Sequence, residues 1–215
     1  MAPDRDIQLV VFDIGRVLLR ICDDWRHACR VAGIAAPPGL GKGPPPAPVD
    51  QLLRRYDTGV IDLETFAREI APLSGMTAGD VVRLQECYLL GPYAGVGELL
   101  DDLSVAGVKT ACLSNTSDAH WRMMLDPAGP NHLPLDRLDY RFASHLARLR
   151  KPDEAIYAHV ERETGLPGDA IAFFDDVAEN VDAARRRGWH AYRIDPTPDD
   201  PLPQVRSRLR DHGLI

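Results

Sequence analysis

The chain has 215 residues, of which 45% are hydrophobic and 27% charged, so it can bury the core of one large or two small domains. Its 25 lysines and arginines stand against 32 aspartates and glutamates. The resulting formal charge of -7 argues against nucleic acid or an anionic membrane as the main partner and favours small-molecule chemistry. The sequence shows no apolar run of about 18 residues and no secretory leader, which predicts a cytoplasmic protein without a membrane span.

Short apolar runs rich in Val, Ile, Phe and Leu predict strands that are buried on both faces. In chain order they cover residues 7–12, 109–113, 170–174 and 190–194. Helical patterns lie between the later runs: one ends at Gly107, one extends from Pro152 to Gly165, and one ends at Gly188. Strands that alternate with helices predict an α/β, Rossmann-like fold with a parallel sheet.

Residues 20–93 do not show this alternation of strands and helices, because they offer helical signals and no convincing strand. Asp62 precedes one amphipathic stripe, and Thr77 with Asp80 precedes another, as N-caps of helices do. The Pro/Gly-rich stretch 36–49 predicts an extended, mobile loop between two helices. We therefore expect an all-helical domain inserted into the α/β fold.

Three further groups of residues carry no clear chemical signal. The end of the chain, residues 195–215, predicts a short amphipathic helix that packs on the core or on another subunit. The cysteines show no zinc or CxxC spacing and are expected to be free thiols: Cys22, Cys29, Cys87 and Cys112. Four histidines lack ligand-like spacing and are expected on the surface or in loops: His120, His132, His145 and His159.

Polar residues follow three of the predicted strands at the points where the strands end. Asp13 follows the first strand, Ser114 the second, and the pair Asp175 and Asp176 the third, while Lys151 opens a helix. Ligands of open α/β sheets bind beyond the carboxyl ends of the strands, so these side chains should share one pocket. Massed carboxylates need a cation, and hard oxygen ligands suit Mg²⁺, which in turn implies phosphate chemistry.

Four segments carry a resemblance to the haloacid dehalogenase (HAD) superfamily of hydrolases. They are VVFDIGRVLL at 10–19, ACLSNT at 111–116, RKPDEAIY at 150–157 and FFDDVAENVDAA at 173–184. The helical insert resembles the C1 cap of subclass I, in YDTGVIDLETF at 56–66 and LLGPYAGVGELL at 89–100. The resemblance implies a core domain made of residues 1–19 and 94–215, and a cap domain made of residues 20–93.

The resemblance also implies roles for the residues at the strand ends. It implies that Asp13 is the nucleophile and that Ser114 and Lys151 bind the phosphoryl group. The metal ligands it implies are Asp13, Asp175, Asp176 and the carbonyl oxygen of Gly15. Beside these, we expect Asn115 to orient its loop or line the substrate pocket, unless it only forms a turn. Asn180 follows the acid pair by about one helical turn and either braces it or lies on the helix surface.

The first motif departs from the usual family pattern, Asp-x-Asp. The second Asp of that pattern protonates the leaving oxygen and then activates water, and here Gly15 takes its place. Acid/base catalysis is typically worth about 10² to 10⁴ in rate, so another group must act or the substrate must have a good leaving group. Phosphatases similar to those acting on sugar 1-phosphates also carry Asp-x-Gly.

Residues after the first motif offer other sources of a proton or a contact. Asp23, Asp24 and His27 stand where the cap begins, although an acidic first turn of a helix with one surface histidine explains them better. The Arg16 guanidinium has two interpretations, a contact with phosphate or substrate and a structural ion pair.

Three functions agree with these observations. The first is a magnesium-dependent phosphatase of a small phosphorylated metabolite, such as a sugar phosphate, that forms an aspartyl-phosphate at Asp13. The second is a 2-haloacid dehalogenase, which needs no proton for its leaving halide. The third is a weakly active protein that binds a phosphorylated ligand. For any of these functions the sequence leaves both a monomer and a homodimer open. The adjacent carboxylates favour the phosphatase, because without a cation they would repel an organic acid.

Overall fold

The structure is a computed structural model that describes residues 7–41, 45–197 and 200–215. Its strands, in chain order, are β1 (Leu9–Phe12), β2 (Leu19–Ile21), β3 (Leu89–Pro92), β4 (Lys109–Ser114), β5 (Tyr140–Ala143), β6 (Ile171–Asp175) and β7 (His190–Arg193). Its helices are α1 (Trp25–Ala32), α2 (Ala47–Asp57), α3 (Leu63–Ser74), α4 (Ala78–Glu86), α5 (Val96–Val105), α6 (Asp118–Leu125), α7 (Ser144–Ala147), α8 (Glu154–Thr164), α9 (Ala178–Arg186) and α10 (Leu202–Asp211).

Five of the strands form a parallel sheet in the order β5-β4-β1-β6-β7, which confirms the α/β fold class. All four strands predicted from apolar runs are present. β5 was not predicted, and its residues Tyr140 and Arg141 are partly or fully exposed at the edge of the sheet. A short edge strand with a charged residue lacks the continuous apolar run by which buried strands are detected.

The central strand β1 supplies side chains to both faces of the sheet because its residues alternate in direction. Val10 and Phe12 pack in one hydrophobic cluster with helices α5, α6 and α10, whereas Leu9 and Val11 pack in the other with α8 and α9. The predicted tail helix is α10, and its residue Val205 is fully buried in the first cluster. Two covered faces explain the apolar runs of the strands.

Helices α1 to α4 lie between β2 and β3 and bury a hydrophobic cluster of their own, which includes Phe66 and Leu84. The predicted caps are present: the Asp62 carboxylate accepts a hydrogen bond from the Thr65 amide at 2.8 Å, and Thr77 forms a capping box with the third helical residue. The limits of the cap domain stay a prediction.

Two expectations for this insert are wrong. Residues 20–93 do contain strand, because β2 and β3 pair antiparallel where the chain enters and leaves the insert. Their few residues, with Gly91 and Pro92 among them, give no alternating pattern. The predicted loop 36–49 ends early, because α2 already begins at Ala47, with a proline in its first turn. Residues 42–44 of that loop lie outside the described residues. In the described part of the chain, no helix is both long and apolar enough to cross a membrane.

Candidate active site

The three central strands bring their carboxyl ends to the same edge of the sheet. Phe12 of β1 is in register with Cys112 of β4 and Phe174 of β6. The next residue, Asp13, donates its backbone N–H to the Phe174 carbonyl at 2.8 Å, so its side chain leaves the sheet beside Asp175. Ser114 ends β4 on the other side of β1 and is buried.

The Lys151 ammonium lies between two of the carboxylates. Its Nζ is 2.9 Å from Asp13 Oδ1 and 2.6 Å from Asp175 Oδ2, and the side chain is only 1% exposed. A buried lysine with two carboxylate partners stays charged and partly neutralises both.

Asn115 holds the Lys151 backbone in place. Its Nδ2 donates to the Lys151 carbonyl at 2.9 Å, and its Oδ1 accepts from the Lys151 amide at 2.8 Å. The paired hydrogen bonds join the loop after β4 to the segment before α8. The structure thus gives Asn115 a positioning contact.

Asn180 binds the side-chain carboxylate of Asp175. Its Nδ2 lies 3.0 and 3.1 Å from the two carboxylate oxygens of Asp175, and the Val177 amide donates to Oδ1 at 2.8 Å. The Tyr157 hydroxyl donates to the Asn180 carbonyl at 2.9 Å and ties α8 to α9. Of the two sequence interpretations, the structure shows the buried brace and not the surface position.

The carboxylates of Asp13, Asp175 and Asp176 can place one oxygen each within 4.8 Å of one another. Three hard oxygen donors at this spacing, all largely buried, fit a divalent cation such as Mg²⁺. The arrangement would be strongly repulsive without positive charge.

Burial and neighbouring charges shift the protonation of these groups. Burial raises the pKa of Asp13 to about 7, an effect that Lys151 opposes and Asp175 increases. Burial likewise raises the pKa of Asp176, with Asp175 adding to the shift. Burial on its own would lower the pKa of the Lys151 ammonium, but Asp13 and Asp175 bring it above its ordinary value. The site therefore favours bound positive charge.

Arg16 bridges the acid cluster and the start of the insert. Its NH1 is 3.5 Å from Asp176 Oδ2, and its NH2 donates to the Asp23 carbonyl at 2.8 Å. The residue has a φ of 59°, in the left-handed region. These contacts are those of a structural ion pair, whereas its contact with a ligand stays a prediction.

The three candidate proton donors of the insert are engaged at the start of α1. Asp24 caps the helix by accepting from the His27 amide at 2.7 Å, and His27 Nδ1 lies 3.1 Å from the Asp23 carboxylate. The Asp23 side chain is 77% exposed. These are the contacts of a helix start.

Two buried residues that were not predicted as part of a site, Ser144 and His145, lie at the start of α7. His145 is buried, not superficial as expected, and its Nδ1 donates to the Thr116 carbonyl at 3.0 Å. Ser144 is fully buried and binds Thr116 as well. Neither residue belongs to a motif, so spacing gave no signal for them. A cleft of about 530 Å³ opens beside them, with Tyr56 and Gly59 of the insert in its wall.

A family model for haloacid dehalogenase-like hydrolases matches residues 7–188. The chain belongs to this family. Phosphatase MT3486 of Mycobacterium tuberculosis (strain CDC 1551 / Oshkosh) is 28% identical to it over 133 residues, which are 62% of this chain and 59% of that protein. The HAD-like hydrolase thus spans less than two thirds of that relative's length.

Solved structures of HAD proteins share the fold. A predicted HAD-like family hydrolase from Porphyromonas gingivalis superposes with a TM-score of 0.74 at 22% identity, covering 95% of this chain and 98% of that one. The HAD family enzyme bt-2542 of Bacteroides thetaiotaomicron, in complex with magnesium and inorganic phosphate, gives a TM-score of 0.69 at 20% identity, covering 90% and 96%.

Proposed function

We propose that this HAD-like hydrolase is a Mg²⁺-dependent phosphatase of a small phosphorylated metabolite and that Asp13 is its nucleophile. The observation that carries the proposal is the position of the Lys151 ammonium, 2.9 Å from Asp13 and 2.6 Å from Asp175, beside a third carboxylate. A cationic site at the carboxyl ends of the strands suits a doubly charged phosphate monoester.

In the first half of the reaction, an Asp13 carboxylate oxygen attacks phosphorus while the bond from phosphorus to the leaving oxygen breaks. The leaving oxygen takes up a proton from solvent water, and an aspartyl-phosphate remains on the enzyme. In the second half, a water oxygen attacks phosphorus while the bond from phosphorus to the Asp13 oxygen breaks. The protons of that water leave with inorganic phosphate, and the Asp13 carboxylate is restored. Ser114 donates a hydrogen bond to a phosphoryl oxygen, and Lys151 offsets its charge.

The metal would be held by Asp13, Asp175, Asp176 and the Gly15 carbonyl. When bound, Mg²⁺ supplies positive charge that offsets the negative charge of the phosphoryl oxygens. Asn180 holds Asp175 in its orientation by two hydrogen bonds. The Arg16 guanidinium makes a single, longer contact of 3.5 Å with the Asp176 carboxylate.

Gly15 restricts the substrate. Without a carboxyl group at this position, an alkoxide leaving group lacks its proton donor, which costs about 10² to 10⁴ in rate. Substrates whose leaving oxygen is already weakly basic, such as an anomeric oxygen or an acyl phosphate, need less protonation. We therefore infer a preference for these classes over simple alkyl phosphates.

The test is phosphate release from a panel of sugar 1-phosphates, acyl phosphates, alkyl phosphates and an aryl phosphate, with Mg²⁺ or with EDTA. The Asp13→Asn variant removes the nucleophile, and Asp182→Asn is the matched control, since Asp182 is exposed on α9. We expect release that needs Mg²⁺, is lost in Asp13→Asn and is kept in Asp182→Asn.

Three results would contradict the proposal. Turnover that survives in Asp13→Asn would remove Asp13 from the nucleophile role. Halide release from a 2-haloacid in the presence of EDTA, with no phosphate release from any compound, would favour the dehalogenase. Phosphate binding without turnover would favour the weakly active binding protein.

A further inference from the structure

The insert and the core meet at a corner formed by Ser144. Its hydroxyl oxygen accepts a hydrogen bond from the Thr116 amide at 2.9 Å and lies 2.6 Å from the carbonyl oxygen of Asp57, to which it donates. Asp57 is the last residue of α2 in the insert, whereas Thr116 lies two residues after Ser114. One fully buried hydroxyl thus connects the insert to the loop that presents Ser114.

His145 forms a further hydrogen bond to the loop after β4. Its Nδ1 can only donate to the Thr116 carbonyl, which fixes the tautomer, and burial lowers the pKa of the ring so that it stays neutral. The ring packs against Trp121 of α6, with centroids 5.8 Å apart. Both backbone polar groups of Thr116 are therefore held by the first two residues of α7.

The insert is fitted to this corner at three consecutive residues, 57–59. The Arg148 guanidinium donates to the Thr58 carbonyl at 3.1 Å, and the guanidinium of Arg150 lies 3.6 Å from the Asp57 carboxylate. Arg150 directly precedes Lys151. At Gly59, a Cβ atom would lie 2.9 Å from the His145 carbonyl oxygen, so the two backbones approach as closely as a glycine allows.

We propose that Ser144 is a positioning residue that couples the docking of the cap to the placement of Ser114. When residues 57–59 sit against α7, the Ser144 hydroxyl is fixed from the cap side and holds the Thr116 amide. When they move away, that amide loses part of its support and the loop after β4 loosens. This inference rests on the proposed function, because Ser114 is taken there as a phosphate ligand.

The test perturbs the corner from the cap side only. Gly59→Ala pushes residues 57–59 away from His145 without altering any core residue. Gly33→Ala is the matched control: Gly33 has nearly the same left-handed backbone, with φ 68° against 65°, but a Cβ atom there meets nothing within 4 Å. The probe is inorganic phosphate with Mg²⁺, measured by calorimetry, because phosphate is too small to need contacts with the cap.

The second readout does not depend on activity. Hydrogen exchange of the Thr116 amide, followed by NMR, reports whether its bond to Ser144 opens more often. In Gly59→Ala we expect faster exchange and a phosphate affinity weakened by about 5-fold or more, which is the scale of coupling between distinct sites. Gly33→Ala should leave both values unchanged. Ser144→Ala should weaken phosphate binding at least as much, and the double variant should be no weaker than Ser144→Ala alone.

The outcomes separate this inference from the proposed function. Unchanged exchange and unchanged phosphate affinity in Gly59→Ala would overturn the coupling while leaving the phosphatase intact. If the unaltered protein neither releases nor binds phosphate, the proposed function fails. Exchange of the Thr116 amide then decides by itself: acceleration in Gly59→Ala but not in Gly33→Ala supports the coupling, and equal rates refute it.

Discussion

Replacing Lys151 by methionine removes the ammonium that contacts two of the three site carboxylates, and keeps a side chain of similar length. A unit charge at 2.9 Å from another is worth roughly 6 kcal/mol at an effective dielectric constant of about 20. Because removing one partner of a buried pair leaves the other uncompensated, we expect a loss of about 3 to 5 kcal/mol in the free energy of unfolding at pH 8.

The loss of stability in Lys151→Met depends on pH. Its direction follows from the pKa of the site carboxyl groups. Burial already raises the pKa of Asp13 to about 7, and removal of Lys151 raises it further. A carboxyl group with a raised pKa in the folded state stabilises the fold at low pH, and this contribution disappears as the pH rises. The Lys151→Met protein should therefore be close to the unaltered protein at pH 5 and much less stable at pH 8.

Urea unfolding at both pH values, followed by tryptophan fluorescence, measures this difference. Lys109→Met serves as the control, since Lys109 is exposed on β4. Adding Mg²⁺ should restore much of the stability of Lys151→Met at pH 8, because a ligand at about 100 times its Kd contributes roughly 2.7 kcal/mol. An equal loss at pH 5 and pH 8, or no recovery with Mg²⁺, would refute the electrostatic reasoning.

Three further predictions concern other residues of the site and the corner. Asn180→Ala removes both hydrogen bonds to Asp175 and should weaken Mg²⁺ binding by about 10- to 100-fold in a metal titration; an unchanged affinity would show that Asp175 needs no brace. Gly15→Asp should raise kcat for alkyl phosphates by about 10-fold or more and change aryl phosphate turnover little, and an equal gain on both would exclude acid catalysis. Burial raises the pKa of Asp57 from 3.8 to about 6 against the effect of Arg150, so the unaltered protein loses stability relative to Asp57→Asn as the pH rises. Urea unfolding should show this difference growing by up to about 3 kcal/mol between pH 4 and pH 7, and a constant difference would contradict the shift.

Much of the fold could be predicted from the sequence because buried parallel strands are continuous apolar runs. The predicted strands also indicated that Asp13, Ser114 and Asp175 lie close together. Each of these residues directly follows or ends a strand, and the carboxyl ends of these strands face the same edge of the sheet. Lys151 follows no strand. Its position at a predicted helix start suggested that it could reach the same pocket, and the family resemblance implied its role in phosphate binding. The strand Tyr140–Ala143 was not predicted, because an edge strand is only half covered and lacks a continuous apolar run.

Ser144 and His145 could not have been found from the sequence alone. Their importance comes from two hydrogen bonds to the backbone of Thr116 and one to the backbone of Asp57, and a backbone partner imposes no residue type that a pattern could reveal. For Arg16 the sequence left two interpretations open, a contact with a ligand and a structural ion pair. Its contacts in the structure, with Asp176 and a carbonyl of the insert, are those of the ion pair.

The antiparallel pair β2 and β3 has a consequence for how such a chain can be rebuilt. Leu19 pairs with Pro92 and Ile21 with Leu89, so the helical insert leaves the core and returns to it at neighbouring points, roughly 5 Å apart as in any pair of strands. A two-residue turn spans that gap. The four helices between them can therefore be shortened, lengthened or replaced while the five-stranded sheet keeps its register.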